Sequence, residues 1–193
     1  MARPRTFDED VALDAAMRLF WTHGYDGTSL SALTEAMGIN KPSLYATFGN
    51  KEELFRRALD RYADGPGAAV GRALELPTAR DVALALFRIY VRAPADPSRP
   101  LGCLLVNGAQ RCAPESETAQ HEVSARRAGS VATLQKRFAR AQREGDLRDD
   151  VSAADLARWV WTTLHGMAVM AADGVSSAQL DRVAALAMKS WPD

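Results

Sequence analysis

The chain is poor in the residues from which most catalytic chemistry is built. Its 193 residues hold three histidines and two cysteines. His23, His121 and His165 are scattered, and neither a His-Glu-x-x-His nor a Cys-x-x-Cys spacing occurs. No metal set and no nucleophile with its base is visible, so an enzyme is not expected. Net charge is missing too, since 24 Lys+Arg balance 24 Asp+Glu. That balance excludes a protein coating nucleic acid by bulk charge, and any DNA partner must be met by cations placed locally. No apolar run approaches the ~18 residues of a membrane span. The segment Met1 to Asp10 carries charge without an apolar stretch, so no secretory signal is expected. Cys103 and Cys112 fall in one apolar segment read as a helix. Their nine-residue separation is about two and a half turns, which points the thiols apart. No mutual disulfide is expected, which fits a reducing cytoplasm. What remains is an ordinary globular composition, 47% hydrophobic and 25% charged.

Helical periodicity fills almost the whole chain, and no strand pattern appears. Thr6-Phe7-Asp8-Glu9 matches a capping box and predicts a first helix from about Thr6. Val11, Ala15 and Leu19 form one stripe on it, and Ala12, Ala16 and Phe20 the adjacent one. Gly24 stops it. Thr28 or Ser29 caps a second helix with Leu30, Leu33 and Met37 inward. Gly38 supplies the positive φ of a tight corner that Ile39 plugs. Asn40 caps a third helix, in whose first turn Pro42 is tolerated. Leu44 and Phe48 point to the core, and Gly49 ends the helix. Asn50-Lys51-Glu52-Glu53 opens a fourth helix with a second capping box, and this helix runs to about Ala63. Asp64-Gly65-Pro66-Gly67 then breaks the chain.

Beyond the break the pattern predicts a weak helix over Ala68 to Leu76 and a stronger one over Asp81 to Val91. A proline-stiffened loop covers Ala93 to Pro100, and Leu101 to Cys112 is short and apolar. A long polar helix spans Glu115 to Arg143, with Val123, Val131, Leu134 and Phe138 as its contacts. Two apolar helices finish the chain, Ala153 to Ala172 and Ser177 to Trp191, the last capped by Ser176 or Ser177.

Two short helices about a tight turn, followed at once by a capped helix, are the means by which a small domain presents one helix to the DNA major groove. Over Thr6 to Phe55 the residues resemble the TetR family of transcriptional regulators. The resemblance is carried by Gly27-Thr28-Ser29, Met37-Gly38-Ile39 and Leu44-Tyr45-x-x-Phe48-x-x-Lys51-Glu52-x-Leu54-Phe55. Leu101 to Asn107 also looks like a segment seen in one subset of that family. The resemblance implies an all-α fold in three parts: a helix-turn-helix DNA-binding domain over 1–50, a connecting helix over 51–64, and a helical ligand-binding and dimerisation domain over 65–193. The function implied is that of a cytoplasmic, ligand-responsive repressor without cofactor or membrane. It binds a palindromic double-stranded operator as a homodimer and is released by a small apolar inducer. A ligand-independent or activating DNA-binding regulator is the alternative.

The third helix is short, so few side chains on its outer face reach DNA: Lys41, Ser43, Ala46 and Thr47, with Tyr45 at the side. Lys41 reaches a base edge or a phosphate. Lys51 stands where free N–H groups and the helix dipole favour an anion. Thr28 and Ser29 offer hydroxyls to the opposite groove wall, and Arg3 and Arg5 lie on a tail able to enter a minor groove. The resemblance assigns Tyr45 to the phosphate backbone. Three positions depart from the family pattern: Thr34 replaces a common alanine, Pro42 a glycine and Thr47 a frequent histidine. The last two helices carry more apolar surface than one pair needs, and the resemblance makes them a two-fold four-helix bundle. An inducer pocket in the body is expected to draw on Phe87, Tyr90, Cys103, Val106, Asn107, Trp161, His165 and Met170. Asn107 and His165 are its candidate polar anchors. Cys103 is either a small buried hydrophobe or a thiol open to electrophiles.

Overall fold

The computed structural model describes residues 7–97, 99–109 and 113–192. Among them the regular structure is helical throughout: α1 Glu9–His23, α2 Leu30–Met37, α3 Lys41–Phe48, α4 Lys51–Asp64, α5 Ala68–Leu74, α6 Ala79–Arg92, α7 Leu104–Asn107, α8 Glu117–Arg143, α9 Ala153–Ala172 and α10 Ser177–Lys189. Short 3-10 turns at Ala93–Ala95 and Pro114–Ser116 follow α6 and precede α8. The all-α expectation holds.

Local chemistry sets most boundaries. Ser29, Asn40, Thr78 and Ser152 each accept a backbone N–H in the first turn of the helix they cap. Asn50 with Glu53, and Ser176 with Gln179, close complete capping boxes. Gly38 takes φ 65° and ψ 29° at the α2–α3 corner, a left-handed conformation that glycine adopts without strain.

Three expectations need correcting. Asp8, and not Thr6, caps α1, accepting from the N–H groups of Asp10 and Val11; Thr6 lies outside the described residues. Val11 faces solvent, 66% exposed, while Ala12, Ala16 and Phe20 are buried. Leu101 to Cys112 is not one helix: Gly102 has φ 81° and Cys103 is extended, so α7 has only four residues. No single helix therefore fixes the two thiols on opposite sides, and Cys112 itself lies outside the described residues.

The side chains form two buried clusters. The first gathers Ala16, Phe20, Leu33, Leu44, Phe48 and Phe55 from α1 to α4, and it also takes in Leu104, Ala109, Ala119 and Val123. Its centre is an aromatic knot, with Phe20 edge-on to Phe55 at 4.9 Å and Tyr25 edge-on to Phe55 at 5.1 Å. The second cluster joins α6, α8, α9 and α10 about Leu86, Phe87, Phe138, Val160, Leu164 and Leu180. The turn after α1 is bound to the α7 segment: Tyr25 N–H donates to Gly108 O at 2.7 Å, and Ala113 N–H to Asp26 Oδ2 at 2.8 Å.

Arg137 of α8 is 7% exposed and serves the end of α5. Its Nε donates to Leu74 O at 3.1 Å, and Nη2 to Leu76 O and Pro77 O, both at 2.8 Å. Arg137→Leu keeps the apolar stem but orphans three carbonyls. It is expected to destabilise the fold by about 2–4 kcal/mol, read by chemical denaturation. A loss under about 0.5 kcal/mol would mean that water replaces the guanidinium.

Candidate nucleic-acid interface and ligand cavity

The outer face of α3 is built from its inner one. Leu44 and Phe48 are buried in the first cluster, so i+1 and i+2 neighbours are turned outward. Lys41, Tyr45 and Ala46 are exposed, Tyr45 by 50%, while Ser43 and Thr47 are half-buried. The helix is held at its end by Arg57 of α4. The Arg57 guanidinium donates to Thr47 O at 2.9 Å and lies over the Phe48 ring at 4.6 Å. Thr34, where alanine is common, bonds back to its own helix at Leu30 O and Ser31 O. It leaves the corner intact.

Lys51 sits at the start of α4 with its ammonium 4.2 Å from the Tyr25 ring centroid. Tyr25 is itself locked in the aromatic knot, so the lysine is presented from a fixed base beside α3. Ser29 is exposed, and its hydroxyl is occupied as the cap of Ala32 N–H. Thr28 departs from expectation. Its side chain is 1% exposed and its hydroxyl donates to Gly24 O at 2.6 Å. That hydroxyl braces the turn before α2 and is not presented at the surface. Arg3 and Arg5 lie outside the described residues.

Helix α4 continues from this surface into the body, and ion pairs hold it on two sides. Toward α1, Arg61 makes a forked pair with Asp14, 2.8 and 3.1 Å, and reaches Asp10 at 3.1 Å. The Arg61 hydrogen bonds hold the Asp14 carboxyl below its ordinary pKa. This stabilisation is therefore present at neutral pH and is lost as pH falls through the lowered value. Toward α8, Asp60 accepts from Arg126 at 2.7 Å, and Arg126 also donates to Glu122 at 2.8 Å.

Beside the last turns of α4 lies a cavity of about 420 Å³. Tyr62, Val70, Tyr90, Cys103, Arg126 and Trp161 are among its walls. Three of the eight residues expected at a pocket thus meet here: Tyr90, Cys103 and Trp161. The others stand elsewhere. Phe87 and Val106 are buried in the second cluster, at 0% and 2% exposure. Asn107 reaches Leu101 O with its amide. His165 lies beside the Trp161 ring, centroids 5.4 Å apart, but off the cavity wall. Burial, and after it the Arg127 charge, lower its pKa, so the ring is neutral at pH 7. Met170 is 48% exposed on the far side of α9. Sequence reasoning missed Tyr62 and Arg126. The signal for the first was an aromatic set among the charges of the last turn of α4, two turns beyond the core residue Phe55.

One further surface stands out. Val169 and Met170 of α9, with Val183 and Leu186 of α10, are exposed by 41%, 48%, 45% and 67%. The inward residues of α10 are Leu180, Ala184 and Ala187, so Val183 and Leu186 point away from the protomer.

Residues 12–58 match the model of bacterial regulatory proteins of the tetR family, and residues 81–187 match that of the tetracyclin repressor-like C-terminal domain. The chain is 36% identical to the HTH-type transcriptional repressor ComR of Escherichia coli (strain K12) over 194 residues, covering 99% of this chain and 92% of that protein. It is 42% identical to a cysteine mutant of the TetR family transcriptional regulator CifR, complexed with 26 bp double-strand operator DNA. That match has a TM-score of 0.95 and covers 99% of this chain and 100% of the other. A TetR transcriptional regulator from Rhodococcus sp. RHA1 aligns at 36% identity over 96% of this chain and 99% of that one, with a TM-score of 0.60.

Proposed function

The chain belongs to the TetR family of DNA-binding transcriptional regulators, and from that premise we propose that it is a repressor released by a small molecule. It binds a near-palindromic operator as a homodimer and lets go when a mostly apolar inducer enters the cavity beside α4. The observation that carries this reading is the course of α4. Lys51 begins it at the DNA face, and Leu59, Tyr62 and Ala63 of the same helix line the cavity. One rigid rod thus touches both sites, and a tilt at one end changes the spacing of recognition helices at the other. A relative named as a repressor and a neighbour bound to operator DNA support it.

In this reading residues 1–50 bind DNA, 51–64 transmit, and 65–193 bind ligand and dimerise. Lys41, Ser43 and Thr47 read or touch the groove from α3, while Tyr45, Ser29 and Lys51 hold phosphates. The dimer forms through α9 and α10, and the half-sites lie about one helical turn apart, ~34 Å. Selection from a random duplex pool should recover a two-fold motif; recovery of no preferred sequence would remove the repressor reading. Lys51→Ala is expected to weaken binding to every duplex alike and to flatten the salt slope by about one unit. Lys41→Ala should instead change preference at one base pair if it reads an edge. An unchanged slope for Lys51→Ala would show that this ammonium meets no phosphate.

A further inference from the structure

Three hydrogen-bond donors, on buried Trp21 and Tyr90 and on half-buried Tyr62, converge between α1, α4 and α6 with little to donate to. The Tyr62 hydroxyl donates to Cys103 Sγ at 3.3 Å, and the Tyr90 hydroxyl to the same sulfur at 3.7 Å. A thiol sulfur is a weak acceptor, and one shared by two phenols satisfies neither well. The third donor is Trp21 Nε1. Its ring packs edge-on to Tyr62 at 4.8 Å, its side chain is 3% exposed, and the N–H has no hydrogen-bond partner. Trp21, Tyr62, Tyr90 and Cys103 line one void of about 50 Å³. Tyr62, Tyr90 and Cys103 also line the 420 Å³ cavity, so the two spaces share this polar wall.

We propose that these groups are the polar anchor of the inducer site, and that the inducer is a neutral molecule carrying an acceptor oxygen, such as a ketone, ester or ether, on an apolar body. The inference rests on the ligand-release reading above and adds the chemistry of the ligand to it. Buried donors without good acceptors are satisfied by an incoming oxygen, and a site built this way discriminates strongly against an isostere that lacks it. Burial, with the neighbouring Cys103 next, pushes both phenols well above their ordinary pKa. They therefore remain O–H donors at any physiological pH. A carboxylate is not called for, because the cations beside this wall are already paired: Arg126 is held by Asp60 and Glu122, and Arg99, on the smaller void, by Asp96 at 2.9 Å. The placement also has a consequence for control. Trp21 and Tyr62 belong to α1 and α4, Tyr90 and Cys103 to the body, so an oxygen seated among them bridges the two.

The test uses the full-length protein with acetophenone and isopropylbenzene, which differ in the carbonyl and little in shape. Calorimetric titration should show the ketone binding about ten-fold more tightly or better. Tyr62→Phe and Tyr90→Phe should each weaken the ketone by about 3- to 10-fold while leaving the hydrocarbon within about two-fold. The carbonyl stretch of bound acetophenone should lie below its value in alkane solvent, a signature that needs no variant to fold. Equal affinity for the two compounds, no binding of the ketone, parallel loss of both in the phenylalanine variants, or an unshifted stretch would each overturn the proposal. Labelled operator is followed in the same titrations. Ketone binding that depends on the tyrosines without operator release would keep the anchor and remove the ligand-release reading.

Discussion

Leu186→Glu is expected to split the protein into monomers and to lower operator affinity by about two orders of magnitude or more. Leu186 is 67% exposed on the protomer, so the change costs the isolated chain little. Its neighbours on this face are Val183, Val169 and Met170, all substantially exposed. Gly166 of α9 is exposed too, and a Cβ built on it meets nothing within 4 Å, which leaves room for close helix approach. A two-fold interface brings each residue in twice, so the glutamate puts two unpaired carboxylates into an apolar contact, at several kcal/mol. A single short α3 then has to hold a half-site alone, and one such module buries too little for tight specific binding. Sedimentation gives the mass, anisotropy with labelled operator the affinity, and circular dichroism the fold. A folded variant that stays dimeric and binds operator as before would move the dimer contact off α9 and α10.

The head of this molecule is legible in its sequence because local chemistry decides it. Ser29, Gly38, Asn40 and the Asn50–Glu53 pair set helix ends through bonds to residues three or four positions away, and such bonds need no tertiary information. The body is less legible for the same reason. Helix α9 is apolar on two faces, and periodicity cannot say that Trp161 looks into a cavity while Met170 looks at solvent. Phe87 and Tyr90 are equally apolar candidates one turn apart on α6, yet only Tyr90 reaches the cavity. Arg137 reads as one more cation on a polar helix. Its burial follows from three carbonyls about sixty residues earlier in the chain. The Leu101 to Cys112 stretch misleads because its apolar content carries no period, and Gly102 turns the chain where a helix is expected to continue.

The second large effect concerns release. Gly129→Leu is expected to yield a protein that still binds operator but no longer lets go at inducer concentrations that free the parent. Gly129 lies on the cavity wall, is exposed, and has nothing within 4 Å of an added Cβ, so leucine enters open space. In mid-helix the exchange also favours α8 by up to about 1 kcal/mol, which separates the effect from unfolding. The side chain occupies part of the 420 Å³ that a ligand needs. A differential affinity of about 1–3 kcal/mol between bound and tilted states corresponds to a 5–150-fold loss of DNA affinity, and the variant should forfeit that response. Trp161→Ala should likewise alter the ligand response, although this indole also donates to Ser130 O at 3.1 Å and packs in the second cluster. Its truncation costs stability of about 3–5 kcal/mol, so Trp161→Phe is the cleaner companion. If α4 tilts when ligand enters, the Asp60–Arg126 pair is expected to stretch, because Arg126 lines the cavity and Asp60 rides on α4. Arg126→Met should therefore weaken unliganded operator binding modestly and lower the ligand concentration needed for release. If Gly129→Leu responds to inducer as the parent does while Trp161→Ala loses dimer and DNA binding together, the ligand enters elsewhere and Trp161 is core.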